Sequence, residues 1–177
     1  MAGLVFCVLL IFALGLRHKP LQPSGSAPKQ PVEGAFGFKL GEPLPKGFWI
    51  TTNRDGIGEY SSDFTDAAPF MRVTIKILND RRIQEIEFST GVFEDSLDQV
   101  MKARGIVDSL ADKYGLLSEH NFQDESKSWV FGGADKRVEV FCSDQFHYIA
   151  VKYEDYTLLD QAIEDEKVNR KVAARGF

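Results

Sequence analysis

Between residues 71 and 78 apolar and polar side chains alternate, with Met71, Val73, Ile75 and Ile77 separated by Arg72, Thr74 and Lys76. A period of two sends successive side chains to opposite sides of an extended chain, so this stretch predicts a strand with Met71, Val73, Ile75 and Ile77 on one buried face. Asn79 and Asp80 supply turn chemistry, and residues 82–89 predict the partner strand. The period then changes. Asp95 or Ser96 can cap a helix whose apolar face comprises Leu97, Val100, Met101, Val107, Leu110, Ala111 and Tyr114, and Gly115 ends it.

The same order recurs further along. Residues 59–64 precede the first hairpin as a strand; residues 128–131, 137–142 and 146–153 predict three more strands, and residues 158–174 a closing helix. That helix carries Asp160, Glu164, Asp165 and Glu166 towards its start and Lys167, Arg170, Lys171 and Arg175 towards its end, the order its dipole favours. The chain therefore reads as two βββα units, 35–115 with a leading strand at 35–40, and 116–177. The expected fold is α+β: a mainly antiparallel sheet of about six to seven strands with two helices on one face, the other face left partly to solvent.

Ahead of this domain the pattern is different. Residues 2–16 contain no charge, Asn, Gln or Pro, and a helix there is apolar all round, which suits lipid or a translocation channel better than one side of a soluble core. It spans about 22 Å, short of the roughly 30 Å of a bilayer's hydrocarbon. Ala13 and Gly15 have the spacing a signal peptidase reads, yet Arg17, His18 and Lys19 follow the run instead of preceding it. Residues 1–16 thus read as a signal-anchor or signal peptide that brings the chain to a membrane. Residues 17–34 hold four of the seven prolines and read as a disordered tether reaching about 50 Å when extended. Residues 35–177 form the single domain, expected outside the cytoplasm, in a periplasmic or extracellular setting.

Charge and composition narrow the function by exclusion. A net charge of -5 argues against nucleic-acid binding, which needs a surplus of Lys and Arg along the phosphates. Cys7 lies in the apolar run and Cys142 in the domain, so no disulfide forms within the domain. Asn53, Asp55 and Gly56 sit as in a calcium loop, but Thr51 and Ser62 fall where terminal ligands belong, so a turn is the better reading. Gly37, Gly41 and Gly47 lack the strand-to-helix context of a phosphate-binding loop. Glu119, His120, Asp124 and Glu125 cluster after the first helix, as a solvated loop; no metal and no cofactor is expected.

Cys142 and His147 flank a short turn in which Asp144 could orient the imidazole, the least implausible centre for an enzyme of unknown reaction. Cys142, however, shares strand parity with Val138 and Val140, as a buried small hydrophobe does. The aromatic residues say more. They are too numerous for all to lie deep in a small core, and those beside turn signals, Phe48, Trp49 and Tyr60, are the candidate binding residues. The resulting expectation is a membrane-anchored or exported cell-envelope domain that binds another envelope protein. The alternatives are that enzyme and a carrier for an apolar ligand.

Overall fold

In the computed structural model, residues 30–46, 51–52, 58–63 and 70–175 are described. The apolar run at 1–16, most of the proline-rich segment, the turn at 53–57, and both Phe48 and Trp49 lie outside the described residues. The alternating stretches fold as strands. In chain order the elements are β1 (Gly34–Ala35), β2 (Phe38–Lys39), β3 (Thr51–Thr52), β4 (Gly58–Asp63), β5 (Phe70–Ile77), β6 (Ile83–Thr90), α1 (Ser96–Tyr114), β7 (Leu116–Asn121), β8 (Lys127–Gly132), β9 (Lys136–Ser143), β10 (Tyr148–Asp155) and α2 (Leu159–Arg175), with a 3-10 turn at Tyr156–Leu158 before α2.

Eight of these strands form one antiparallel sheet in the order β3-β4-β5-β6-β10-β9-β8-β7. Each half of the sheet is a meander ending in a central strand, and the halves meet where β6 pairs with β10. A helix follows each central strand, which is the repeated order visible in the sequence. The fold is α+β, an antiparallel sheet with two helices packing on it.

Register assigns the faces. Val73, Ile75, Ile86, Phe88, Val138, Val140, Ile149, Val151 and Tyr153 share the first face and are buried there. Each such aliphatic or aromatic side chain contributes about 1.5–3 kcal/mol when fully buried. The second face carries paired charge: Lys76 reaches Glu85 across the strands at 2.7 Å, and Lys152 lies 3.5 Å from Glu139 on the neighbouring strand and 3.5 Å from Glu154 on its own. Burial alone would lower the Lys152 ammonium, but Glu154, Glu85 and Glu139 outweigh it and hold its pKa well above the ordinary lysine value.

Three local details depart from the expected pattern, each for an identifiable reason. A bulge between Phe70 and Arg72 breaks the alternation, so Phe70 packs on the core while Met71 is exposed. The leading strand at 35–40 is instead the β1–β2 hairpin, because Phe36 and Gly37 adopt positive φ (50° and 84°) and reverse the chain. The polar residues after α1 form an edge strand, β7, whose pairing with β8 is backbone-driven and leaves little hydrophobic signal.

The segment before β3 covers the first face beside β6. Leu40 and Leu44 are buried, the Gly41 N–H donates to Ile83 O at 2.8 Å, and the Leu44 N–H donates to Arg81 O at 2.9 Å. The Lys136 ammonium holds this segment from the other side, reaching Leu40 O at 3.1 Å and the buried Asp155 carboxylate at 3.3 Å. α2 meets the sheet beside the β5–β6 turn, close to Lys76, Glu85 and Glu154. There the Asp165 carboxylate accepts from Asn79 N–H at 2.8 Å, and the Asn169 side-chain amide donates to Asn79 Oδ1 at 3.0 Å.

Candidate functional site

α1 begins where Asp95 caps it, the carboxylate accepting from the Leu97 N–H at 2.8 Å. It crosses β8, β9 and β10 on the first face, as its contacts show. Its orientation differs from the one its composition suggests. Gln99, Ala103, Leu110 and Tyr114 are buried, whereas Leu97, Val100 and Met101, expected in the core, are 64%, 56% and 66% exposed. Gln99 explains the rotation. It is 1% exposed, and its Nε2 donates to Ser143 O at 2.8 Å and Tyr148 O at 3.2 Å, closing the β9–β10 turn from above. A buried amide so satisfied fixes the helix face, and the apolar residues beside it turn outward.

Leu97 and Met101 are four apart and Val100 lies between them, so they form one apolar stripe on the first turns of α1. Met101 also lines a groove of about 440 Å³ running along the same helix. Phe88, Val151 and Tyr153 of the sheet make its floor, Ile106 and Leu110 of α1 one wall, and Phe36 and Phe70 the other. The rings touch one another: Phe36 and Phe88 have centroids 4.6 Å apart, and Phe70 and Phe88 5.9 Å. Phe36 is brought here by the strained hairpin tip and is itself exposed. Burial, and then the neighbouring Tyr114, push the Tyr153 hydroxyl well above the ordinary tyrosine value, so it stays neutral at the groove floor.

The candidate residues named from sequence fall in different places. Tyr60 sits on β4 opposite Ile75 and is half-buried against the core; Phe48 and Trp49 lie outside the described residues. Cys142 pairs with Ile149 and packs beside the core, on the face its parity with Val138 and Val140 indicates. Burial, followed by the Asp144 charge and only partly offset by Lys127, raises its thiol pKa, the opposite of what activates a nucleophile. His147 turns the chain at φ 50° with its Nδ1 buried, and no hydrogen bond joins it to Cys142 among the described residues. On β7 His120 Nε2 lies 3.1 Å from the Ser118 hydroxyl, and in the turn after it Asp124 accepts from the Ser126 N–H; no group of three or more possible metal ligands converges among the described residues.

Away from α1, Phe122, Phe141 and Tyr148 form a chain of ring contacts at 6.0 and 6.1 Å on the second face. The groove-and-stripe surface was not legible in the sequence because its residues read as core; the one signal was Phe36 set between turn-forming glycines. No helix among the described residues is long and apolar enough to cross a membrane. No protein-family model, curated protein or solved structure matches the chain.

Proposed function

We propose that this chain is a membrane-anchored or exported cell-envelope domain that acts by binding another protein, with the stripe of α1 as the docking surface. The observation that carries the reading is the exposure of Leu97, Val100 and Met101 on a helix whose neighbouring side is fully packed. Contiguous exposed apolar surface next to a groove is costly in water and marks interaction sites. Residues 1–16 and the proline-rich tether support placement at a membrane, outside the cytoplasm.

Carriage of an apolar ligand is a second reading, favoured by the aromatic lining of the groove. The two are compatible, since stripe and groove meet at Met101. Cell fractionation with intact-mass measurement tests the location, and co-purification from crosslinked membranes tests the binding. A membrane or exported fraction, with a partner retained by the native chain and lost from Leu97→Asn/Met101→Asn, is expected. A full-length soluble cytosolic protein, or a partner indifferent to those substitutions, overturns the proposal.

A further inference from the structure

The groove has a polarity along its length. Lys102 and Met101, both exposed, stand at one end of its α1 wall, and buried Leu110 stands at the other. From Met101 to Leu110 the helix rises about 14 Å, the reach of a medium-length acyl chain. Between these ends the floor and walls are apolar and aromatic, and the volume of about 440 Å³ falls within the usual range for small-ligand sites. Lys102 is the one charged residue among the described residues that line it. Its ammonium makes no ion pair among the described residues, not even with Asp98 one turn earlier. A lysine so placed lays its methylene stem along apolar surface and leaves its charge at the mouth.

We propose that the groove binds a single-chain amphiphile with an anionic head, of the medium-chain carboxylate class, with the head at Lys102 and the tail running towards Leu110. Apolar burial against Phe36, Phe88 and Tyr153 supplies the attraction, and the lysine selects the sign of the head. Met101, exposed beside Lys102, can fold over the chain; methionine adapts to irregular apolar shapes at little cost. The proposal rests on the reading of the groove as a ligand site and adds to it the class of ligand.

The test uses the full chain in phosphatidylcholine nanodiscs with a twelve-carbon carboxylate carrying a photoactivatable diazirine in its tail. Dodecanoate, dodecanol and dodecyltrimethylammonium serve as competitors. The blocking variant is Gly105→Phe: Gly105 lines the groove, and a Cβ there meets no atom within 4 Å, so the backbone accepts a side chain at that position. Circular dichroism melting establishes that each variant is folded. The expected result is labelling of peptides from α1 and the β1–β2 hairpin, lost in Gly105→Phe. Dodecanoate should compete at least tenfold better than the cationic amphiphile, and Lys102→Glu should reverse that order. Equal competition by all three heads, unchanged in Lys102→Glu, overturns the head assignment while leaving the groove a ligand site. Labelling of native chain no greater than that of Gly105→Phe overturns both.

Discussion

Replacing Gln99 with alanine removes the donor that ties α1 to the β9–β10 turn. The Gln99 Nε2 serves two carbonyls, Ser143 O at 2.8 Å and Tyr148 O at 3.2 Å, in a site closed to water. A net hydrogen bond contributes about 1 kcal/mol, and a buried acceptor left without its donor costs about 1–3 kcal/mol. The space vacated by the amide adds a smaller cavity cost. The sum for Gln99→Ala is a destabilisation of about 2–4 kcal/mol, read as a lowered urea midpoint with an unchanged slope. Gln99→Leu, which refills the space and not the hydrogen bonds, should recover only part of the loss. Leu97→Asn, on the exposed side of the same helix, should stay within about 0.5 kcal/mol of the native chain. If Leu97→Asn proves the more damaging of the two, α1 is turned the other way and the exposed stripe does not exist.

Two glycines should respond to alanine with opposite signs in the same unfolding assay. At Gly132, φ is +102° and a Cβ would lie 2.7 Å from Val32 Cγ2 and 2.9 Å from Lys136 O, so Gly132→Ala should cost about 1–3 kcal/mol. Gly105, in the helix with open space around it, should gain about 0.5–1 kcal/mol on Gly105→Ala. Burial, and then the Glu154 charge, push the Tyr156 hydroxyl up to about 12. The unfolded chain ionises first, near pH 10, so stability should fall as pH rises from about 10 towards 12. Tyr156→Phe should lessen that alkaline loss, and an unaltered profile would contradict the burial. Iodoacetamide should label Cys142 in the folded chain more slowly at neutral pH than after unfolding, since its thiol is half-buried and its pKa raised; equal rates would refute that.

The sheet was legible because its evidence is periodic. Val73, Ile75 and Ile77 alternate with polar residues, and the alternation has only one buried solution. The same logic failed at Met71, where a bulge of one residue exchanges Phe70 for Met71 and no local signal announces it. On α1 the difficulty is physical in another way. The face richest in apolar residues is the natural choice for the core, but Gln99 finds two carbonyl partners under the helix, and a satisfied buried amide can outweigh the outward turn of three apolar side chains. Those partners lie 44 and 49 residues away, so the contact that sets the helix face depends on a turn formed from the second half of the chain. The groove is non-local for the same reason, assembled from a hairpin tip, three sheet strands and a helix far apart in sequence.

The central claim is that the outward stripe of α1 is where a protein partner docks. A photo-crosslinking amino acid at Met101, compared with one at Lys113, which is exposed on the same helix but turned about 120° away from the stripe, tests it in the cells that make the protein. The account predicts one discrete adduct of fixed mass from position 101 and none from position 113. No adduct at position 101, or the same products from positions 101 and 113, would contradict it.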